Sequence, residues 1–103
     1  MAKRVDAVQP EIVAALRQIG ASVTSLHAIG HGVCDILVGY QGVNYLLECK
    51  SPRGRFTADE LYWHALWKGR IGVVRSVEEA LAAIGAEMRG DVAEAALKEG
   101  KDG

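Results

Sequence analysis

The chain has 103 residues with 12 Lys or Arg against 13 Asp or Glu, a formal net charge of −1, and half of its residues are hydrophobic. That length allows one domain with a modest core and excludes a separate regulatory module. No run approaches the ~18–20 apolar residues that span a bilayer, and the basic start Ala2-Lys3-Arg4 precedes no signal-peptide core, so a soluble, cytoplasmic protein is expected.

The first predicted element is a helix opened by Pro10 and running to about Ile19, with Ile12, Val13, Leu16 and Ile19 at helical spacing and Gly20 ending it. Glu11 sits in its first turn, where a negative charge suits the positive helix terminus. A strand follows from about Ser22 to Ala28, and Gly30-His31-Gly32 marks a turn into the next strand.

Val33 to Lys50 carries the strongest signal. Two runs rich in Val, Ile, Leu and Tyr meet at Gln41-Gly42, which predicts a hairpin with a two-residue turn. If Tyr40 pairs with Val43, then Asp35 falls directly opposite Glu48. Cβ atoms of such a pair lie roughly 4.5–5.5 Å apart, close enough for two carboxylates to share one hard cation such as Mg²⁺ or Mn²⁺. Lys50 projects from the same face as Glu48, and Cys49 from the other. Lys50 beside a metal-bound phosphate can orient or deprotonate an attacking water and offset charge on the phosphorane, so Asp35, Glu48 and Lys50 suit phosphodiester hydrolysis. Glu-x-Lys alone would equally describe a solvated, salt-bridging face. Here both faces of the hairpin carry apolar residues, as in strands covered on both sides, and the charges gather at one end.

Ser51-Pro52-Arg53-Gly54-Arg55 reads as a flexible loop. In a chain without excess positive charge, this local cluster is the part that could clamp a phosphate backbone, through Arg53, Arg55 and Ser51; an ordinary solvated loop is the other reading. Thr57-Ala58-Asp59-Glu60 has the form of a capping box and opens a helix to about Lys68, stopped by Gly69. That spacing explains Glu60 as a cap, the favoured reading, in competition with a catalytic role. The helix aromatics Tyr62, Trp63 and Trp67 are expected to pack on the sheet rather than stack on bases. Ile71 to Arg75 is a last strand, and Ser76 with Glu79 repeats the capping-box spacing at a third helix ending near Ile84-Gly85. Residues 86–103 are expected as a C-terminal tail, helical or partly disordered, with a candidate helix from Asp91 to Lys98 and a frayed end.

Cys34 and Cys49 lie on facing strands and are expected as thiols, since adjacent-strand disulfides are strained. His27 and His31, four apart and near Cys34, suggest zinc, but strand and glycine-turn context does not bring that spacing to one face. No Gly-rich phosphate loop, Ser-His-Asp order or Cys-x-x-Cys pair offers a rival chemistry.

An acid entering one strand and Glu-x-Lys ending its partner resembles the PD-(D/E)XK nuclease signature. The helix, three strands, helix, strand order around it fits the same fold: α/β, a restriction-endonuclease-like core with a mixed sheet flanked by helices in α-β-β-β-α-β-α order. The chain is most similar to small stand-alone VRR-NUC proteins of phage and bacterial type, over about Asp6 to Gly85. The residues that carry this are Gln9 to Arg17, the Asp35 strand, Leu46 to Lys50, Phe56 to Glu60, His64, Trp67 and Val73 to Val77. Cys34 stands where the family usually has proline, and Glu60 where glutamine is common. The resemblance implies a nuclease domain over residues 1–85 and metal-dependent DNA cleavage, with Asp35, Glu48 and the backbone carbonyl of Cys49 on Mg²⁺ or Mn²⁺ and Glu11 as an auxiliary metal-site acid. It also implies a homodimer acting on branched, Holliday-junction-like DNA in a prokaryotic or phage-infected cytoplasm. End-trimming exonuclease action and a non-catalytic DNA-binding module remain the alternatives.

Overall fold

Gln41 and Gly42 both take left-handed backbone angles, φ 52° and 82°, the combination a two-residue hairpin turn needs. In the computed structural model, which describes residues 8–86, this turn joins β2 (Ile36–Tyr40) to β3 (Val43–Cys49). Tyr40 pairs with Val43 and Ile36 with Leu47, the register expected from the turn length. Asp35 and Glu48 are the next positions outward.

The remaining elements are α1 (Val8–Gln18), β1 (Ser22–Ser25), a 3₁₀ turn (His27–Ile29), α2 (Ala58–Leu66), β4 (Gly72–Val74) and α3 (Val77–Ala83). The sheet order is β1-β2-β3-β4, antiparallel except for the parallel β3–β4 pair. A parallel pair requires a crossover, and residues 50–71 with α2 supply it. The element order is the one expected from the sequence. Among the described residues no helix is long and apolar enough to cross a membrane, and the 87–103 segment, with its expected Asp91 to Lys98 helix, lies outside them.

One sheet face carries the core. Ile36 and Val38, Leu47 and Cys49, and Val74 point to the side where α1 places Ile12 and Leu16 and α3 places Ala80 and Leu81, all of them buried. Full burial of each Ile or Leu contributes roughly 1.5–3 kcal/mol. Tyr45 shares this face and donates its hydroxyl to the Ile84 carbonyl at 3.2 Å, which closes the end of α3 against the sheet.

The opposite face corrects the expectation of a sheet covered on both sides. Leu37 and Val73 there are 38% and 40% exposed, and α2 contributes no buried residue. Its aromatics do not form a layer on the sheet: Trp63 stacks on Trp67 at 4.8 Å, while Tyr62 and Trp67 remain exposed. The apolar content of the hairpin was the misleading signal, because it records only what each strand could bury.

Boundaries moved for local reasons. β1 stops at Ser25, whose hydroxyl accepts from His27 N at 3.2 Å and turns the chain into the 3₁₀ segment. α2 ends at Leu66, before Lys68, because Trp67 is extended. α1 begins at Val8, which leaves Pro10 within the first turn, where its missing N–H costs nothing. At α3, Ser76 accepts from Glu79 N as expected, but Glu79 returns its bond to Arg75 N at 2.7 Å, one residue upstream of the cap.

Gly32 sets how closely α2 approaches the Asp35 strand. Its φ is +83°, and a Cβ there would lie 2.3 Å from the backbone oxygen of Asp59. Gly32→Ala is therefore expected to destabilise the protein by about 1–3 kcal/mol or more through backbone strain and displacement of the helix start. Urea unfolding measures it, and an unchanged midpoint would show that this contact carries no constraint.

Candidate active site

β2 and β3 deliver the two acids, and α2 closes over them. Asp35 is fixed on both sides: its carbonyl accepts from Leu26 N at 2.8 Å, and its Oδ2 accepts from Cys49 N at 2.7 Å. The side chain thus extends the β2–β3 pairing beyond Ile36, the first residue of β2. Glu48 and Lys50 are 1% and 8% exposed, the buried charged residues among those described. Lys50 Nζ lies 2.7 Å from Glu60 Oε1 and 3.6 Å from Glu48 Oε2. The same Glu60 oxygen accepts from Thr57 N at 2.9 Å, while Thr57 Oγ1 accepts from Glu60 N, completing the capping box. Asp35, Glu48, Cys49, Lys50 and Glu60 line a cleft of about 370 Å³ with Gln9, Ser25 and His27.

The electrostatics follow from crowding three carboxyls around one ammonium. Burial, then the neighbouring Asp35 and Glu60, pushes Glu48 up to about 8, and Lys50 offsets only part of this. Asp35 is also raised by burial, against the pull of the Cys49 N–H and of Lys50. Burial would lower Lys50, but the Glu60 hydrogen bond and the surrounding acids outweigh it and raise its pKa, so it stays an ammonium. Glu60 moves down: burial opposes the shift, and the hydrogen bonds from Lys50 and Thr57 N prevail. Cys34, buried beside Glu48 and Asp35, is raised to about 12 and remains a thiol.

A divalent cation fits this donor set. Glu48 Oε1 is buried and accepts no hydrogen bond from the described residues, an arrangement that leaves a full acceptor without compensation. Two raised carboxyls with one under-satisfied oxygen are what a positive ion would relieve.

The remaining residues singled out by the sequence fall nearby. Glu11 is exposed and lines an adjoining cleft with Ser51, Pro52 and Arg75, rather than the cleft of Asp35 and Glu48. Arg53 and Arg55 are exposed on the loop that leaves β3. The segment read as flexible is tied down: Arg75 Nη1 donates to the carbonyls of Ser51 at 2.7 Å, Gly54 at 3.0 Å and Pro52 at 3.4 Å. Sequence reading missed Arg75 and the second partner of Glu60, since neither contact is local. His64 was also missed as a site residue: its Nε2 lies 3.6 Å from Glu48 Oε1 and 4.0 Å from Cys34 Sγ, and its ring packs edge-on against Phe56.

No family model and no curated protein matches the chain. A solved structure described as a VRR_NUC domain aligns with it at a TM-score of 0.60 and 23% identity, over 75% of this chain and 89% of that one. The chain shares its fold with that VRR-NUC domain. The mixed four-stranded sheet with flanking helices is thus the restriction-endonuclease-like architecture anticipated above.

The raised Glu48 has a measurable cost. An unfolded chain releases this proton near the ordinary carboxylate value of 4.5, whereas the folded chain holds it to about 8. Folding therefore takes up a proton across that window, and stability falls as pH rises through it. Glu48→Gln, which cannot ionise, should raise the melting temperature in chelator at about pH 9 and leave it nearly unchanged at about pH 4. An equal effect at both pH values would mean that Glu48 ionises normally in the folded protein.

Proposed function

We propose that this cleft is the active site of a metal-dependent DNA endonuclease that hydrolyses phosphodiester bonds, preferentially in branched, Holliday-junction-like DNA. The observation that carries the reading is the buried Glu48 carboxyl held beside Asp35 and a charged Lys50 at a cleft. The proposed metal shell is Asp35, Glu48 and the backbone carbonyl of Cys49, with Mg²⁺ or Mn²⁺ as the ion; Glu11, in the adjoining cleft, is the auxiliary acid. A bound divalent ion would polarise the phosphoryl oxygen and acidify a coordinated water.

The protein's own contributions follow from the geometry. Lys50 stays protonated, so its role is to orient the attacking water and balance charge growing on the phosphorane, not to remove a proton. Glu60 holds that ammonium in place through its 2.7 Å contact. Arg53, Arg55 and Ser51 are assigned to the sugar-phosphate backbone, on a loop whose path Arg75 fixes. One site cuts one phosphodiester, so paired nicks across a junction call for a two-fold homodimer, and the exposed Leu37, Val73, Leu61, Tyr62 and Leu66 offer apolar surface for it.

The test is a cleavage panel of four-way, flap, duplex, single-stranded and covalently closed circular DNA. Cleavage is expected with Mg²⁺ or Mn²⁺, best on branched substrates, and absent with Ca²⁺ or chelator. Opening of the circle separates endonuclease from exonuclease action, and binding without cleavage would leave a non-catalytic module. Cleavage in chelator would remove the metal mechanism.

Lys50→Ala should lower turnover by roughly 10²-fold or more while DNA binding persists. Because the single change leaves Glu48 and Glu60 without their cation, Lys50→Ala combined with Glu60→Gln serves as the charge-balanced comparison. Parental turnover in both variants would reduce Lys50 to an ion-pair partner.

A further inference from the structure

Glu48 presents its two oxygens to different neighbourhoods. Oε2 faces Lys50 Nζ, whereas Oε1 faces His64 Nε2, each at 3.6 Å. Cys34 Sγ lies 4.0 Å from that same His64 nitrogen, and the donor atoms of Cys34, Glu48 and His64 all fall within 4.8 Å of one another. Cys34 and Glu48 are fully buried, and Oε1 is the buried oxygen that lacks a hydrogen bond. Neither Cys34 nor His64 lines the cleft of Asp35 and Lys50.

A thiol, imidazole and carboxylate in contact could suggest a nucleophile with its base. That arrangement needs the thiol and the acid on opposite ring nitrogens. Here both face Nε2, so no relay can run between them. Donors of three kinds within 4.8 Å of one another suit a shared cation instead. Tetrahedral coordination with bonds of about 2.3 Å to sulfur and 2.0–2.2 Å to nitrogen and oxygen sets donor atoms roughly 3.3–3.6 Å apart. The Glu48–His64 separation fits already, the Cys34–His64 separation closes with a shift of a few tenths of an ångström, and Cys34 Sγ and Glu48 Oε1, within 4.8 Å of each other, close with side-chain movement toward the ion. Binding releases the Cys34 proton to solvent, and the resulting thiolate with imidazole favours a borderline ion over Mg²⁺ or Ca²⁺.

We propose that Cys34 Sγ, His64 Nε2 and Glu48 Oε1 form a binding site for Zn²⁺ or a similar borderline divalent ion, with water in the fourth position. Its ligands differ from the all-oxygen set assigned to the Asp35 side, and Glu48 is common to both. Occupation of this site places a second cation on the shared carboxylate and lowers the negative charge left for Mg²⁺, so Zn²⁺ opposes Mg²⁺-dependent cleavage. That consequence rests on the nuclease reading, whereas the site itself does not.

The test is optical and needs no turnover. The reduced, metal-free full chain is titrated with Co²⁺, which should give a thiolate-to-cobalt charge-transfer band in the near ultraviolet and tetrahedral bands in the visible, saturating at one ion per chain and displaced by Zn²⁺. Cys34→Ser should abolish the charge-transfer band and weaken Zn²⁺ by more than the roughly 10–100-fold that loss of an outer partner costs. Asp35→Asn, and His27→Ala with His31→Ala, should keep both the band and the affinity. A parent protein with no charge-transfer band, or Cys34→Ser binding Zn²⁺ as tightly as the parent, overturns the site whether or not the protein cleaves DNA.

Discussion

The contact between Lys50 Nζ and Glu60 Oε1 joins the two halves of the site. Glu48 and Lys50 are buried at the end of a strand, where an uncompensated charge would cost several kcal/mol. Compensation comes from a residue that also closes the first turn of α2, through a single oxygen shared between Lys50 and Thr57 N. Starting the helix and neutralising the strand are therefore one event. The capping reading of Glu60 and a role in the site do not compete, because the cap presents the carboxylate that Lys50 needs.

Legibility in the sequence followed the range of the interaction. The hairpin register could be read because Gln41-Gly42 permits one tight turn and side chains alternate along a strand, which fixes Asp35 against Glu48 without further information. Both Ser/Thr caps could be read for the same local reason, although Glu79 bonds Arg75 N in place of the cap N–H. Arg75 itself could not be read. It lies 24 residues from Ser51 in sequence, and its convergence on three loop carbonyls appears only once β4 has paired with β3. The Cys34, Glu48 and His64 cluster was hidden likewise, since it joins a turn, a strand and a helix. The sequence drew attention to His27 and His31 instead, which are near Cys34 only along the chain.

The aromatic-rich α2 shows the limit of composition as a guide to burial. Trp63 and Trp67 satisfy each other by stacking, and the face of the sheet behind Leu37 and Val73 is left open. Hydrophobic content states what a segment is able to bury. Which side of the sheet becomes the core was decided by α1 and α3, whose Ile12, Leu16 and Leu81 fill it.

The absence of any buried residue in α2 carries a mechanical meaning. The helix is held to the body at its first turn and at His64, mainly by polar contacts, while the apolar layer lies across the sheet from it. Lifting α2 exposes little apolar surface and leaves that layer whole, so its opening lies at the low end of the free-energy scale for local unfolding. The protein is built as a rigid half that places Asp35, Glu48 and Lys50 and a detachable half that brings the carboxylate paired with Lys50.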